Sequence, residues 1–464
     1  MAFTLGFYGG ADTVTGSNFL VEGERGKILV DCGIEQGRDF SEKEMYAPFA
    51  YDVPSLDALV ITHAHLDHIG RTPKLIREGF KGRVYCTPPT RDLMDIMLRD
   101  SARILAENAR NHGLEPMYDE RDIDALMSRI ETVDYHQEWE AAPGLSCIMR
   151  NTGHILGSGS VRIKDEDGTA LALTGDIGAT PNVYLNDVEP VTDADVIVME
   201  SVYGDRKNTE KGERVPELRD ALKRAITRGG AILIPAFSLE RTQLMLYEIS
   251  NLMDAGEIPK IPVYLDSPLA IKATAVYEKW AEAYFRPEAV EELHHEKSLF
   301  KFPFLKETAG REESMAIWQE RGPKIIMAGA GMSHGGRIGR HEQKYLPDPN
   351  TTLMIVGYQA PGSPGRLLQD GVKHVRIDRK EVRVRGKVIS FSGWSAHADR
   401  DGLVEFAAAA QPRAKTIFTA LGEPSSARFL AQRIHEYVGV KAIVPEKGQK
   451  WHITKDGATQ IPGA

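Results

Sequence analysis

A dense group of possible metal ligands lies in the sequence THAHLDHIG, at residues 62–70. Three imidazoles and one carboxylate fall close together there, from His63, His65, Asp67 and His68. Imidazole and carboxylate groups are ligands that suit Zn²⁺ in proteins. Burying this group without a metal would leave many polar atoms in need of partners. The pattern therefore predicts a zinc site directly after the apolar run that precedes it.

Two later segments each present one more possible ligand. GHILGSGS places His154 in a turn flanked by glycines, and ALALTGD places Asp176 after an apolar run. Alone, each of these residues would be interpreted as structural. With the first cluster they suffice for two zinc ions, one held by three imidazoles and one by a carboxylate and an imidazole, with Asp176 between them. The two ligand sets are His63, His65 and His154, and Asp67 with His68.

The elements that must position these ligands have the pattern of an α/β protein. Short apolar runs such as 58–62, 170–176 and 195–200 end in polar residues, as strands buried on both faces do. Between such runs, residues 91–110 and 214–228 carry apolar side chains at three- and four-residue spacings, which indicates amphipathic helices. Strands interleaved with helices favour layered α/β architecture over a bundle or a sandwich alone.

Composition limits the classes of protein that fit. The 464 residues suggest two or three domains, and 42% apolar with 27% charged residues excludes disorder, collagen and coiled coil. No apolar run approaches the about 18 residues of a membrane helix, and the first basic residue, Arg25, comes too late for a signal peptide. Widely spaced Cys32, Cys86 and Cys147 suit free thiols. We therefore expect a cytoplasmic protein with no membrane partner.

One segment is strongly basic although the whole chain is acidic. The net charge of −9 argues against non-specific adhesion of the whole surface to nucleic acid. Residues 371–390, GVKHVRIDRKEVRVRGKVIS, nevertheless hold seven Lys or Arg against Asp378 and Glu381, a local excess of five. The segment is either a solvated charged ribbon or a track for a polyanion, and both interpretations stay open.

The order HAHLDH, GHILGS and TGD resembles the motifs of the metallo-β-lactamase fold. That resemblance implies two β-sheets between helices, with metals bound by loops at one edge. VDCG, at residues 30–33, is similar to the first motif of the same fold, in which Asp31 would orient the metal loop through hydrogen bonds. The alternative for Asp31 is a turn residue at a strand end.

Further motifs resemble the β-CASP branch of that fold. ESVYG and FSGWSAHAD are similar to its acidic and histidine motifs, through Glu200 and His397. YLDSPLA, GMSHGGRIG and GYQAPGSPGR are similar to its inserted nucleic-acid-binding domain. The resemblance covers nearly the whole chain. It is to bacterial and archaeal relatives of the polyadenylation-factor endonuclease, and more distantly to ribonuclease J.

This resemblance implies an α/β fold with a defined domain order. A metallo-β-lactamase αββα sandwich would be built from residues 1–205 and 391–464. An inserted α/β β-CASP domain would occupy residues 206–390.

The same resemblance implies a zinc-dependent ribonuclease that cleaves single-stranded RNA in the cleft between the two domains. Metal-bound hydroxide would hydrolyse the phosphodiester, and Asp67 would accept the proton of the water as well as bind metal. His397 would be the general acid for the leaving oxygen, kept protonated by Glu200, because that step needs a group titrating near neutrality. A turn histidine and a strand-end salt bridge are the structural alternatives for these two residues.

One position departs from the family pattern. RNA-acting members carry a metal-ligating His in a VHGE setting, whereas this chain has FTALGEPSS, with Leu421 at that place. Leucine cannot ligate, so the second of two expected zinc sites would keep only Asp67, His68 and Asp176. DNA-acting Artemis-like members also carry an aliphatic residue there. A DNA-acting nuclease and a non-catalytic RNA-binding member therefore stay open, whereas the inserted domain disfavours a small-molecule hydrolase.

Two glycine-rich segments, GAGMSHGGR and GYQAPGSPGR, follow apolar runs. Such loops let backbone amides approach a phosphate, and an adjacent arginine adds bidentate contacts. We therefore predict substrate binding by Gly335, Gly336, Arg337 and Arg366, with a simple turn as the alternative for each loop. A homodimer stays open as the assembly of the chain.

Overall fold

The chain folds into two compact units in a computed structural model. Met1–Lys207 and His397–Ala464 form the first unit, and Asn208–Ala396 form the second. The structure describes residues 3–35, 46–207, 211–236, 239–333, 335–357, 359, 362–391 and 393–463.

Strands and helices alternate through most of the second unit, whereas the first unit also contains runs of consecutive strands. The strands are β1 (Phe3–Gly9), β2 (Asn18–Glu22), β3 (Lys27–Val30), β4 (Ala58–Val60), β5 (Arg83–Cys86), β6 (Ile130–Thr132), β7 (Glu138–Ala142), β8 (Leu145–Asn151), β9 (Gly159–Asp165), β10 (Ala170–Leu173), β11 (Val196–Glu200), β12 (Ala231–Pro235), β13 (Val263–Leu265), β14 (Leu305–Glu307), β15 (Lys324–Ala328), β16 (Thr352–Ile355), β17 (His374–Ile377), β18 (Lys380–Arg383), β19 (Lys387–Ser390), β20 (Thr416–Ala420), β21 (Lys441–Ile443), β22 (Lys450–Thr454) and β23 (Gly457–Gln460). The α-helices are α1 (Leu66–Ile69), α2 (Thr72–Arg77), α3 (Pro88–His112), α4 (Glu120–Met127), α5 (Lys211–Arg228), α6 (Arg241–Asp254), α7 (Pro268–Tyr284), α8 (Pro287–Glu296), α9 (Arg311–Ala316), α10 (Ile338–Tyr345), α11 (Pro364–Gln369), α12 (Arg400–Ala409) and α13 (Pro424–Arg433).

The first unit contains two mixed sheets. One has the strand order β23-β22-β1-β2-β3-β4-β5-β6, and the other has the order β21-β20-β11-β10-β9-β8-β7. Apolar side chains from both sheets form one buried cluster, which includes Phe7 of β1, Val161 of β9 and Phe418 of β20. The opposite face of the second sheet packs against Leu403 of α12 and Leu430 of α13. Two sheets with a helical layer match the predicted metallo-β-lactamase class of α/β fold.

Parallel pairing explains why several strands are apolar along their whole length. β11 pairs parallel to both β10 and β20, and all five of its residues are buried. The glutamate that ends this strand, Glu200, is therefore also buried. A parallel sheet collects the carboxyl ends of its strands at one edge, so polar residues that follow β10 and β11 are neighbours.

The second unit is built on a parallel sheet. Its strand order is β14-β13-β15-β12-β16-β19, and the pairs are parallel throughout. The two-stranded antiparallel pair β17–β18 packs its apolar side chains, including Val375 and Val382, on the same core as this sheet. Among the described residues, no helix combines the length and the apolar character that a membrane span requires.

Candidate metal centre

The first four predicted ligands follow β4 without an intervening loop of any length. Ile61 and Thr62 continue the buried strand, and His63 and His65 come next, with His65 at the start of the short helix α1. Asp67 and His68 lie within that helical turn. An extended segment that turns at once into a helix lets side chains from both parts point to one region. The spacing of the four residues in HAHLDH follows from this change from extended to helical backbone.

The turn between β8 and β9 holds His154. Ser158 Oγ accepts hydrogen bonds from the backbone amides of His154 and Ile155, at 3.1 and 3.2 Å. Thr87, the N-cap of α3, donates to Gly157 O at 2.7 Å, so the long helix is tied to the same turn. These bonds fix the backbone of the turn and thereby the direction in which the His154 imidazole points.

Asp176 follows β10 through a glycine that the packing requires. Gly175 has φ +57°, and a Cβ there would lie 2.6 Å from Thr62 Oγ1. Only a residue without a side chain lets the end of β10 pass so close to the segment that carries His63. The carboxylate of Asp176 is thereby brought among the imidazoles.

Four nitrogen and oxygen atoms converge at this point. His63 Nε2 lies 3.1 Å from His65 Nδ1, which lies 3.2 Å from His154 Nε2. Asp176 Oδ2 lies 3.4 Å from both His63 Nε2 and His154 Nε2. Ligands at about 2.1 Å from a tetrahedral ion lie about 3.4 Å from one another. The four atoms therefore have the spacing of a tetrahedral metal site.

The protonation of these groups suits a metal. Burial lowers the pKa of His63, His65 and His154, so their ring nitrogens carry free lone pairs. Burial alone would raise the pKa of Asp176, but the neighbouring His68 and His63 outweigh it and lower that pKa well below its ordinary value. Three neutral imidazoles facing one carboxylate form a donor set that fits a divalent cation.

His68 is held separately, by Asp31. Its Nδ1 lies 2.7 Å from Asp31 Oδ2, and Thr62 donates to both carboxylate oxygens of Asp31, from its amide at 2.8 Å and from its hydroxyl at 2.9 Å. His68 Nε2 is buried, has no hydrogen-bond partner, and lies 3.3 Å from Asp176 Oδ1. Burial lowers the pKa of His68, but Asp176 and Asp31 outweigh it and raise that pKa well above its ordinary value. The raised pKa means that the His68 imidazole is protonated, and a metal bound at its Nε2 would replace the proton on that nitrogen.

The remaining part of the predicted second site is less complete. Asp67 is in neither of the two tight ligand groups among the described residues, which are His63–His65–His154–Asp176 and Asp176–Glu200–His397. Burial raises the pKa of Asp67, although the nearby His68 opposes the shift. Leu421 follows β20 with φ +48°, is 2% exposed, and packs its side chain in the core between the two sheets. It therefore offers no ligand atom.

Glu200, which is buried, and the partly exposed His397 form a pair beside the candidate metal ligands. His397 Nδ1 lies 3.1 and 3.2 Å from the two carboxylate oxygens of Glu200, and 4.0 Å from Asp176 Oδ2. The backbone amide of Ile177 donates to Glu200 Oε1 at 2.5 Å, which fixes the carboxylate. Burial lowers the pKa of His397, but Glu200 outweighs it and raises that pKa to about 9. Burial raises the pKa of Glu200, against the effect of His397.

The predicted phosphate-binding residues lie in the second unit, and the structure gives Arg337 an internal role. Its guanidinium donates to Asp266 Oδ1 at 2.6 Å and to the carbonyls of Thr308 and Ala309 at 2.8 and 2.6 Å. A phosphate would have to compete with these bonds. Gly336 has φ +68°, and a Cβ there would meet Gly329 O at 2.3 Å. Its need for glycine is therefore explained by packing.

Gly335 and Arg366 are less constrained. Gly335 has φ +74° and open space where a side chain would be. Arg366 is exposed on α11, where its Nε lies 3.1 Å from Asp370 Oδ1 one helical turn later. Phosphate binding by these residues stays a prediction.

Asp266 is a structural centre that sequence reasoning missed. Besides Arg337, its buried carboxylate accepts hydrogen bonds from Ser314 at 2.6 Å and Thr308 at 2.8 Å, and lies 2.7 Å from His341 Nε2. Burial alone would raise its pKa, but these partners, of which His341 contributes most, lower the pKa to about 2. The position of Asp266 after the apolar run VYL was a possible signal, but its partners lie 42 to 75 residues away.

Family models match most of the chain. A metallo-β-lactamase superfamily model matches residues 11–236, and a Beta-Casp domain model matches residues 242–368. A Zn-dependent metallo-hydrolase RNA specificity domain model matches residues 381–445.

Relatives in bacteria and archaea align over 86% or more of this chain. Ribonuclease TTHA0252 of Thermus thermophilus is 35% identical over 399 residues, which cover 86% of this chain and 89% of that protein. An RNase J-like protein of Methanocaldococcus jannaschii is 31% identical, covering 96% of this chain and 98% of its own length. Transcription termination factor FttA of Thermococcus kodakarensis is 33% identical, with coverages of 94% and 69%. 

A solved structure shares the fold at low identity. The crystal structure of a protein of unknown function from Enterococcus faecalis V583 superposes with a TM-score of 0.55 at 12% identity. It covers 98% of this chain and 100% of that chain.

Replacing Asp266 with Asn should destabilise the second unit and change its response to acid. The amide cannot accept from all four donors and leaves Arg337 without its counter-charge, so we expect a loss of about 3 kcal/mol. Because the folded pKa of Asp266 lies below the unfolded value of about 3.9, its stabilisation is present above about pH 4 and is lost as pH falls towards 2. Denaturant unfolding between pH 7 and 3 measures both effects.

Asp370→Asn is the matched control, because it also breaks an Asp–Arg pair in the same unit. Both side chains of that pair are about half exposed, so we expect a change below about 0.5 kcal/mol. Equal unfolding midpoints for the two variants would contradict the structural role of Asp266.

Proposed function

This chain belongs to the β-CASP family of the metallo-β-lactamase superfamily and is a metal-dependent nuclease, and from that premise we propose that it is a zinc-dependent ribonuclease acting on single-stranded RNA. The observation that carries the proposal is the set of four ligand atoms, 3.1 to 3.4 Å apart, from His63, His65, His154 and Asp176. Three imidazoles and one carboxylate favour zinc over calcium or magnesium, which prefer oxygen ligands.

The metal and the protein contribute different parts of the chemistry. When bound, zinc would supply Lewis acidity, which makes water a nucleophile near neutral pH and neutralises charge on a phosphodiester. Asp31 holds His68 by its Nδ1, so that Nε2 faces Asp176. Asp176 in turn contacts ligands on both of its oxygens and fixes the distance between them. These contacts hold the candidate ligands in the arrangement that the proposed reaction needs.

His397 is suited to protonate the leaving oxygen. Its Nδ1 is engaged by Glu200, so the imidazole can carry a second proton on Nε2 and give it up without turning. Its side chain is 21% exposed, whereas Glu200 is fully buried, so the histidine is the member of the pair that a substrate can reach. General acid catalysis of this kind typically contributes a factor of about 10² to 10⁴.

RNA is favoured as the substrate class over DNA. The matched model over residues 381–445 is described as an RNA specificity domain, and the first relative above is named a ribonuclease. DNA-acting Artemis-like members also carry an aliphatic residue at the position of Leu421, so cleavage of DNA is kept as an outcome of the test. The homodimer and the cytoplasmic location expected from the sequence stay predictions.

We expect the purified protein to cleave an end-labelled single-stranded RNA in the presence of zinc and to stop when zinc is chelated. A DNA strand of the same sequence should be cut at least about tenfold more slowly, since only RNA carries the 2′-hydroxyl.

His154→Ala should abolish cleavage and lower bound zinc, measured by elemental analysis. His112→Ala, a change of an exposed histidine in the same unit, serves as control. Cleavage that persists unchanged in chelator would refute the metal mechanism.

Glu200→Gln should move the alkaline limb of the pH–rate profile. In the wild type, the general acid is protonated below a pKa of about 9, so the rate should fall as pH rises through that value. The neutral amide no longer stabilises the imidazolium, so the pKa of His397 falls and the limb should shift to lower pH. Rates between pH 6 and 10 test this. If the limb stays in place while the rate drops, Glu200 acts in another way.

We further propose that only one zinc is tightly bound in each chain. The first group has four ligands at metal spacing, whereas the second has His68 and Asp176 at 3.3 Å and no ligand at Leu421. Losing one coordinating imidazole should weaken the second site by more than the 10- to 100-fold that follows loss of a supporting residue.

Leu421→His should therefore raise the bound zinc from about one towards about two per chain. The left-handed backbone at this position, with φ +48°, accommodates histidine better than leucine. Leu421→Asn is the matched control, because asparagine also tolerates that backbone but is a poor zinc ligand. Zinc content after dialysis, measured by elemental analysis, checks the result. Equal zinc in all three proteins would show that position 421 is not part of a metal site.

A further inference from the structure

The basic segment noted in the sequence forms a hairpin in the second unit. β17 and β18 pair antiparallel with His374 opposite Arg383 and Arg376 opposite Glu381. The two residues between the strands, Asp378 and Arg379, have φ +46° and +67°. Positive φ at both central residues is the pattern of a type I′ turn, which matches the twist of the strands that it joins.

The two faces of this hairpin differ completely. Val375, Ile377, Val382 and Val384 are buried and belong to the apolar core of the unit. The alternate positions are exposed, and they are His374, Arg376, Glu381, Arg383 and Arg385. Because side chains alternate along a strand, the outer face carries its cations about 7 Å apart along each strand.

The cations of this segment are unpaired. Seven Lys or Arg side chains occur between residues 371 and 390, and in the described part of the chain no ion pair within 4 Å involves any of them. Elsewhere in the same unit cations at the surface do find carboxylates, as the partly exposed Arg219 does with Glu257 and Lys301 does with Glu278. A concentration of unpaired positive charge on an acidic protein attracts polyanions.

The turn adds an independent observation. The second central residue of a type I′ turn is ordinarily glycine, because a side chain strains that backbone. This chain places Arg379 there, exposed and with φ +67°. Turn stability does not explain an arginine at this position, whereas a role for its charge does.

We propose that the outer face and the tip of this hairpin bind the phosphate backbone of single-stranded RNA, away from the metal ligands in sequence and in a different unit. The inference rests on the proposed function for the choice of RNA. The outer face has no Phe, Tyr or Trp side chain for base stacking, so its main contacts are to phosphates and carry no sequence preference. Arg376, Arg379, Arg383 and Arg385 supply the contacts, and the acids of the site are Glu381 on the face and Asp378 at the tip.

The test measures binding of labelled oligouridine to the full chain by fluorescence anisotropy, with the metal chelated so that no cleavage occurs. The triple variant R376Q/R383Q/R385Q should bind roughly 10- to 100-fold more weakly at about 0.1 M salt. The dependence of log affinity on log salt should be shallower by about 2, since each phosphate contact to a single strand contributes about 0.7. Oligoadenosine should show the same loss.

The matched control is K223Q/R224Q/K272Q, which removes the same charge from exposed helical positions of the same unit. It should keep both the affinity and the salt dependence of the wild type. A second variant, R379G, separates binding from folding, because glycine suits the turn. Its melting temperature should be equal or higher while its affinity falls by roughly fivefold, which corresponds to one lost contact.

The proposal is overturned if the hairpin variants keep wild-type affinity, if they lose no more than the control, or if the loss is confined to one base. Because binding is measured without metal, it is separate from the test of the nuclease. An RNA-binding hairpin on a chain that does not cleave RNA would refute the proposed function alone. Zinc-dependent cleavage with unaltered binding by the variants would refute the hairpin alone.

Discussion

Asp176 is the side chain on which the metal centre depends, because its two oxygens face imidazoles that come from different segments of the chain. Oδ2 lies 3.4 Å from His63 and His154, and Oδ1 lies 3.3 Å from His68. A carboxylate buried in this way costs free energy unless positive charge compensates it. The proton on His68 provides that charge without a metal, and a divalent ion provides it better. The fold thus places a buried carboxylate where a bound cation would stabilise it.

A buried carboxylate that holds one imidazole recurs in the molecule. Asp31 holds His68 at 2.7 Å, Glu200 holds His397 at 3.1 Å, and Asp266 holds His341 at 2.7 Å in the second unit. In the first pair, the other ring nitrogen of His68 faces Asp176. In the second pair, the other ring nitrogen of His397 is the one that we propose to protonate the leaving oxygen. In the third, Trp318 Nε1 donates to the other nitrogen, so both sides of the imidazole are used. The same pair therefore serves chemistry or stability, according to what lies beyond it.

The sequence predicted the parts of this protein that depend on local pattern. Apolar runs gave the strands, and the polar residues that end them, such as Asp176 and Glu200, lie at adjacent strand ends as parallel pairing requires. Long-range partners were not predictable. Nothing near Arg337 in the sequence indicated that its guanidinium is engaged by Asp266, 71 residues earlier. His341 likewise gave no signal, because its partner is brought to it only by the packing of the second unit.

The charge balance of the centre explains why its histidines must differ from one another in protonation. Four carboxylates lie near the place where a phosphodiester would bind, from Asp31, Asp67, Asp176 and Glu200. A phosphate is repelled unless positive charge at least balances these four carboxylates. One divalent ion held by the His63 group would balance two of these charges, and protons on His68 and His397, whose pKa values are raised, would balance the other two. The neutral His63, His65 and His154 are able to hold a metal, while the two carboxylate-held histidines carry the protons that balance the remaining carboxylates.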